Sequence, residues 1–285
     1  NFEEKVIQRF VNEYKEGKTP FPCAFCNPEV KFHHLNRLAG ELQCDFISTG
    51  HYAGISKYNG IKYITKGIDR DKDQSFFLWG LKSEILNKLI LPLGNYHKSE
   101  IQEYAKNIDL SRLATKKESM GICFVGSMGY RKYLNNSMLC ESEGDFVDRK
   151  GKILGRHCGI VNYTIGQRRG LGLNLNKPIF VSEIRANKNE IVLSDFKDLY
   201  RCIIFITHIH FIDIDQVTVD KIYIVKIRYR LQENYCRVII MNSNRARLEL
   251  MEPVAMVAPG QTAVIYDEDR VIGGGFIEDS EECRQ

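Results

Sequence analysis

The hydrophobic period of the chain changes near Gly144, and this change constrains the fold more than any other feature. Before Gly144 the apolar residues Phe2, Val6, Phe10 and Tyr14 recur every four residues, which is helical spacing. After Gly144, short apolar runs alternate with turn residues, which is typical of β-sheet proteins. The sequence therefore predicts a mixed α/β part followed by a β-rich part.

The α/β part has the helix–strand alternation of a doubly wound sheet. A helical pattern over residues 32–42 precedes a short apolar strand over residues 45–49, which ends at Gly50. Ligands of such sheets bind beyond the carboxyl ends of the strands. Gly50 is therefore a candidate nucleotide-binding residue, and an ordinary turn explains it equally well.

Three cysteines are the candidate reactive groups. Residues 19–27 read T-P-F-P-C-A-F-C-N and contain Cys23 and Cys26, and Cys123 follows later in G-I-C-F. The prolines disfavour helix and a helical pattern follows them, so we expect Cys23 and Cys26 in a loop near a helix N-terminus, where the thiolate is favoured. Half of a zinc site is the alternative, although no second C-x-x-C completes four ligands. Taken alone, Cys123 among Ile122, Phe124 and Val125 is better explained by a buried core position than by a reactive one.

The polar loop over residues 67–74 is a candidate contact for RNA or nucleotide. Its aspartate spacing resembles a calcium loop, but Gln74 replaces the required glycine and Gly80 the bidentate glutamate, which excludes calcium. Lys72, Asp73 and Gln74 are then the contact candidates. A solvated run of charges is the alternative.

A second basic loop carries Arg168 and Arg169 among glycines over residues 166–172. Its glycine spacing does not fit a dinucleotide fingerprint, and no helical pattern follows. Exposed arginines on a flexible loop suit phosphate contacts, so both are candidates for RNA binding. A surface hairpin with two solvated arginines is the alternative.

The residues after 203 predict a small β-barrel. Six candidate strands lie at 203–206, 222–230, 237–241, 247–250, 262–266 and 271–277. His208, His210 and Cys202 lie nearby, but no third well-placed ligand completes a metal site.

Composition sets wider limits. The nine cysteines among 285 residues are scattered and odd in number, which predicts a reducing, cytoplasmic setting rather than a disulfide scaffold. No apolar run is long enough for a transmembrane helix, so no membrane partner is expected. The formal charge of +4 permits a nucleic-acid partner without requiring one.

Six blocks of sequence together resemble the tRNA-specific 2-thiouridylases, the MnmA family. The blocks are T-P-x-P-C-x-x-C-N-x-x-V-K-F, S-T-G-H-Y-A, K-D-Q-S-x-F-L, P-L-G, K-K-E-S-M-G-I-C-F-V-G and Y-T-I-G-Q-R-R-G-L-G. They occur in order from about residue 19. The Gly-rich S-G-G-x-D-S loop with which the family begins, and which holds ATP phosphates, does not occur among these residues.

The resemblance implies a fold of three parts. The expected domains are a partial α/β adenine-nucleotide alpha-hydrolase-like (PP-loop ATPase-like) catalytic domain, a central β-rich tRNA-binding domain and a C-terminal β-barrel. Their expected limits are residues 1–130, 131–202 and 203–285.

The resemblance also implies ATP-dependent (Mg-dependent) 2-thiolation of the wobble uridine in tRNA. A persulfide on Cys123 would attack the adenylated uridine and Cys26 would resolve the intermediate by forming a disulfide. The K-D-Q block would lie beside the target uridine, and a persulfide sulfur-carrier protein or desulfurase would supply the sulfur. Many members carry Asp where Cys23 stands, so Cys23, Cys26 and Cys123 could instead hold a [4Fe–4S] cluster.

Two further functions are compatible with the residues. Without the ATP loop the chain could be a tRNA-binding remnant, which would bind tRNA without thiolating it. It could also be a thiol redox protein that uses Cys23 and Cys26, with activity independent of tRNA.

Overall fold

A computed structural model describes residues 1–114, 121–136, 142–174, 177–230 and 233–283 of the chain. The helices precede the large β structures, as the change of period near Gly144 predicts. The α-helices are α1 (Arg9–Lys15), α2 (Pro22–Cys26), α3 (Phe32–Glu41), α4 (Ser83–Lys88), α5 (Lys98–Asn107), α6 (Ser111–Ala114) and α7 (Tyr130–Asn136). π-Helical segments cover Glu3–Gln8 and Asn27–Lys31, and short 3₁₀ turns connect other elements.

The strands form three sheets. They are β1 (Ile47–Ser48), β2 (Ala53–Tyr58), β3 (Ile61–Lys66), β4 (Leu89–Ile90), β5 (Gly144–Asp148), β6 (Ile153–His157), β7 (Phe180–Arg185), β8 (Glu190–Ser194), β9 (Tyr200–Phe211), β10 (Tyr223–Lys226), β11 (Asn234–Asn242), β12 (Arg245–Ala255), β13 (Thr262–Asp267) and β14 (Arg270–Glu282). β1 and β4 pair in parallel, and β5 to β8 form a four-stranded sheet in the order β6-β5-β8-β7.

The C-terminal strands close into a barrel. The order β13-β10-β11-β12-β9-β14 is completed by pairing of β13 with β14, so the predicted barrel is confirmed with all six strands. The hairpin β2–β3 from the α/β part extends the same sheet, because β3 pairs with β14 through Thr65 and Arg270. The first and last parts of the chain are therefore joined by backbone pairing.

The predicted fold class is confirmed, and β5 and β6 form a hairpin around Gly151. Gly151 has a φ of +84° in the turn between β5 and β6, a conformation that glycine adopts without strain. Within the described ranges, no helix is long and apolar enough to cross a membrane. One disulfide, Cys202–Cys283, joins the start of β9 to the chain just beyond β14, and the cysteine count did not predict it.

Aromatic packing positions the segment that carries Cys123. The ring of Phe124 makes edge contacts with Phe10 at 5.2 Å and Phe2 at 5.9 Å between centroids. Val125 is buried in the same cluster with Leu134 of α7. This cluster holds Phe124 and Val125 against the N-terminal helix, while Cys123 stays exposed.

Candidate functional site

The prediction that Cys23 and Cys26 lie in a loop is wrong, because both lie within the short helix α2. Pro22 occupies the first turn of this helix, where its missing N–H costs nothing. The chain then continues through the π-helical segment Asn27–Lys31 into α3. Asn27 is buried and its side-chain amide donates to the Phe77 carbonyl at 2.8 Å, which anchors the helix beside the residues that follow the K-D-Q loop.

The three candidate thiols lie together. The charge of Cys23 interacts with those of both Cys123 and Cys26, and that of Cys26 interacts with Cys123. Cys123 is exposed, whereas Cys23 and Cys26 are half-buried. The structure thus brings a helix-borne pair of thiols next to an accessible third thiol from a distant segment.

The prediction of a stabilised thiolate in the C-x-x-C segment is also wrong. Burial, with smaller repulsion from Cys123 and Cys26, raises the pKa of Cys23 to about 11. Burial likewise raises the pKa of Cys26, although Lys31 opposes this shift. Removing a thiol from water disfavours its charged form, and here this outweighs the helix dipole.

We therefore expect Cys23 to react slowly with iodoacetamide. At pH 8.5 its alkylation should be roughly 100-fold slower than that of an ordinary exposed thiol, because only the thiolate reacts. Peptide mass spectrometry over a pH series measures this, with exposed Cys44 as the internal reference. Equal rates at Cys23 and Cys44 would contradict the burial argument.

The raised pKa of Cys23 also makes the free energy of unfolding depend on pH. The pKa of Cys23 rises on folding from 9.0 to about 11, so the folded state favours the neutral thiol. The stability that comes from keeping this buried thiol neutral is fully present below pH 9 and is lost as the pH rises to about 11.

Lys31 and His51 are site residues that the sequence did not single out for these roles. Five residues make about one π-helical turn, so Lys31 lies on the same side of the helix as Cys26. Its charge lowers the pKa of both Cys23 and Cys26. Burial and Lys31 lower the pKa of His51 to about 4, so His51 is neutral near pH 7, with Nδ1 2.8 Å from the Thr49 hydroxyl.

Gly50 lies at the end of β1, exposed, as the doubly wound pattern predicts. A Cβ at this position would meet only the side chain of Leu93, at 3.7 Å. Its backbone does not require glycine, so the open surface that it leaves is compatible with close approach of a flat ligand.

The K-D-Q loop places its three candidates in different surroundings. Asp73 is only 4% exposed, and its carboxylate accepts hydrogen bonds from the Gly67 and Ser75 amides and the Ser75 hydroxyl. Gln74 accepts from the Tyr52 amide at 2.9 Å, whereas Lys72 is half-buried. Asp73 therefore organises the loop from inside, and its carboxylate is committed to protein donors.

Arg168 and Arg169 lie exposed on a loop without regular secondary structure. Gly166 and Gly170 flank them with φ values of +85° and +72°, which bend the loop outward. In the part of the chain that the structure describes, neither guanidinium forms an ion pair. Lys116 and Lys117, the two lysines of the K-K-E-S-M-G block, also suit phosphate contacts by their charge, but they fall outside the described residues.

The described residues contain no group of three His, Cys, Asp or Glu side chains placed to hold a metal ion. Cys202 forms a disulfide and His210 is 3.1 Å from the Leu81 carbonyl, which removes the metal candidate of the barrel.

Three family models match the chain in order. They are described as the tRNA methyl transferase HUP domain (residues 1–127), the tRNA methyl transferase PRC-barrel domain (131–195) and the aminomethyltransferase beta-barrel domain (201–277). These matches define the class, a HUP domain followed by two β domains.

Curated relatives identify the family within this class. A tRNA-specific 2-thiouridylase MnmA 2 of Phocaeicola vulgatus is 41% identical over 278 residues, 97% of this chain and 79% of the relative. MnmA 1 of Bacteroides fragilis is 39% identical over 289 residues with the same coverage, and MnmA 1 of Clostridium botulinum is 38% identical over 279 residues, 98% and 79%. The chain belongs to the tRNA-specific 2-thiouridylase (MnmA) family.

Proposed function

We propose that this chain is a tRNA-uridine 2-sulfurtransferase, which uses ATP to place sulfur at C2 of the wobble uridine in tRNA. The observation that supports the proposal is the electrostatic interaction between Cys26 and Cys123, within a chain of the MnmA family. The relatives' names state the tRNA-specific 2-thiouridylase activity.

The proposed chemistry balances with two cysteines. ATP, with Mg²⁺, transfers AMP to the C2 oxygen of uridine and releases pyrophosphate, which makes that oxygen a good leaving group. The outer sulfur of a Cys123 persulfide attacks C2 and expels AMP. The Cys26 thiolate then attacks the Cys123 Sγ; the S–S bond breaks, its electron pair stays on the sulfur at C2, and a Cys26–Cys123 disulfide forms.

The site residues have distinct proposed roles. Cys123 is exposed, so a sulfur-carrier protein or desulfurase can reach it to load the persulfide. Lys31 supports ionisation of Cys26. We propose that Gly50 lies against the nucleotide and that Lys72 and Gln74 lie near the target uridine, with Asp73 holding their loop.

The thiol route is proposed in preference to a [4Fe–4S] cluster. The thiol route needs only Cys26 and Cys123, whereas a cluster would also need Cys23 as a ligand and would leave one iron open. We further propose a cytoplasmic setting, where thiols can be reduced between turnovers. The domain limits 1–130, 131–202 and 203–285 are part of the same proposal.

The direct test is to incubate the purified full-length protein that contains this chain and its ATP loop with ATP, Mg²⁺, unmodified tRNA and a low-molecular-weight persulfide. We expect 2-thiouridine and AMP in equal amounts, both measured by chromatography and mass spectrometry. tRNA binding without thiolation would support the remnant instead, and disulfide turnover without tRNA would support the redox protein.

We expect Arg168 and Arg169 to supply phosphate contacts. Replacing both with Ala should weaken tRNA binding and make the dependence of log affinity on log salt shallower by up to about two units. The loss should be similar for different tRNAs, because phosphate contacts carry no sequence information. Affinity across a salt series measures this, with Lys188→Ala, on an exposed turn of the same domain, as the control. An unchanged slope would mean that both arginines are bystanders.

A further inference from the structure

A directed chain of hydrogen bonds runs from the barrel to the K-D-Q loop. Tyr266 lies in barrel strand β13 with its side chain fully buried, and its hydroxyl is 3.2 Å from Ser75 Oγ. Ser75 Oγ donates to Asp73 Oδ2 at 2.9 Å. A serine hydroxyl has one proton, and Ser75 already uses it in the hydrogen bond to the Asp73 carboxylate. The Tyr266 hydroxyl is therefore the donor to Ser75.

This chain ends on the residue that shapes the loop. Asp73 Oδ1 accepts from the Gly67 and Ser75 amides, each at 3.0 Å. A buried carboxylate needs such donors, because an unpaired charge away from water is costly. The backbone between residues 67 and 75 therefore depends on Asp73, and Asp73 depends in turn on the barrel hydroxyl.

The other side of the loop is bonded to the turn after β1. The backbone N–H of Gln74 donates to the Tyr52 carbonyl at 2.7 Å, and the side-chain Oε1 of Gln74 accepts from the backbone N–H of Tyr52 at 2.9 Å. Gly50 lies two residues before Tyr52. The loop thus connects the barrel with the candidate nucleotide turn.

Ion pairs reinforce the contact between the loop region and the barrel. Arg70 contacts Asp269 at 2.8 Å, and Lys66 contacts Glu233 at 2.7 Å. The Lys66 side chain is only 5% exposed and lies 4.9 Å from the centre of the Tyr266 ring. Within this contact the Tyr266 hydroxyl is connected to Asp73 through Ser75.

We propose that Tyr266 is a positioning residue, through which the barrel sets the orientation of the K-D-Q loop by way of Ser75 and Asp73. The expected effect on catalysis rests on the proposed function, in which the K-D-Q loop lies beside the target uridine. Affinity for tRNA comes largely from phosphate contacts elsewhere. Disturbing the loop should therefore lower kcat more than tRNA affinity.

Tyr266→Phe tests this by removing the hydroxyl while keeping the ring. We expect kcat for 2-thiouridine formation to fall about 3- to 10-fold, with the Kd for tRNA changed less than about twofold. The conservative change keeps the packing of the ring and its contact with Lys66.

Tyr223→Phe is the matched control. Tyr223 is a buried tyrosine of the neighbouring strand β10, and its hydroxyl accepts from the Thr218 amide at 3.1 Å. It has no bond to the loop among those described, so its loss should lower the melting temperature about as much and leave kcat within about twofold. Equal kcat losses in both variants would overturn the proposal, because the effect would then be general destabilisation.

Hydrogen exchange separates this inference from the proposed function. Tyr266→Phe should speed amide exchange in peptides covering residues 67–75, and Tyr223→Phe should not, whether or not the chain thiolates tRNA. Unchanged exchange would overturn the positioning role. If exchange responds while wild-type protein makes no 2-thiouridine, only the proposed function fails.

A double variant tests whether the residues act in one chain. Adding Tyr266→Phe to Ser75→Ala should cost little beyond Ser75→Ala alone, because the hydroxyl has then lost the group through which it acts. Additive effects on loop exchange would mean that Tyr266 and Ser75 act separately, which would contradict the proposed path.

Discussion

We expect a Cys123→Ser variant to form no detectable 2-thiouridine and to retain wild-type affinity for tRNA. Serine oxygen cannot carry the sulfur that must be delivered to C2, so the loss follows from chemistry rather than from folding. Cys123 is exposed, and the substitution should change the free energy of unfolding by less than about 0.5 kcal/mol. Nucleoside analysis of the tRNA and a binding measurement on the same preparation check both expectations.

The control variants are Cys44→Ser and Cys158→Ser, since both cysteines are also exposed and free. We expect both to thiolate tRNA at the wild-type rate. Substantial thiolation by Cys123→Ser would remove Cys123 from the proposed mechanism.

Cys26→Ser should fail in a different way. The persulfide can still attack uridine, but no second thiol is present to break the S–S bond to Cys123. A covalent tRNA–protein adduct should therefore accumulate, and dithiothreitol should release it. The two cysteines would thus be distinguished by the species that each variant accumulates.

The sequence predicted the fold well where the pattern is local. Short apolar runs separated by turn residues marked all six barrel strands. It did not predict that β3 pairs with β14, because residues Thr65 and Arg270 are far apart in the chain and no periodicity records their contact. The Cys202–Cys283 disulfide was missed for the same reason.

The sequence supplied candidate site residues, but it did not predict their burial or protonation. Motifs identified Cys26 and Cys123, whereas burial, which a motif does not contain, decides the protonation of Cys23. The K-D-Q residues were predicted as contacts for RNA or nucleotide, with a solvated run of charges as the alternative. Asp73 is instead buried, because Gly67, Ser75 and the distant Tyr266 together supply a path of donors that sequence spacing does not reveal.

Reduction of the Cys202–Cys283 disulfide should lower the free energy of unfolding by about 2–4 kcal/mol. The cysteines are 81 residues apart in sequence, so the bond closes a long loop and removes much freedom from the unfolded chain. Urea unfolding of aerobically prepared protein, with and without dithiothreitol, measures the loss. The chain has several domains, so the barrel's own transition is the one to follow.

The position of the disulfide predicts where its loss is felt first. Next to Cys283, Glu282 pairs with Arg149 of the central domain at 2.9 Å, and Arg149 also contacts Asp198. Without the disulfide the end of β14 can fray and release this contact, so hydrogen exchange should rise at residues 278–283.

Serine variants separate the bond from other effects of the reductant. Cys202→Ser and Cys283→Ser should each be as unstable as the reduced wild type, and dithiothreitol should not destabilise either further. Cys236 is buried and unpaired, so it cannot substitute as a partner without opening the barrel core. If dithiothreitol leaves the stability of the wild type unchanged, the disulfide does not contribute to it. The β13–β14 pairing and the apolar core would then be sufficient to close the barrel.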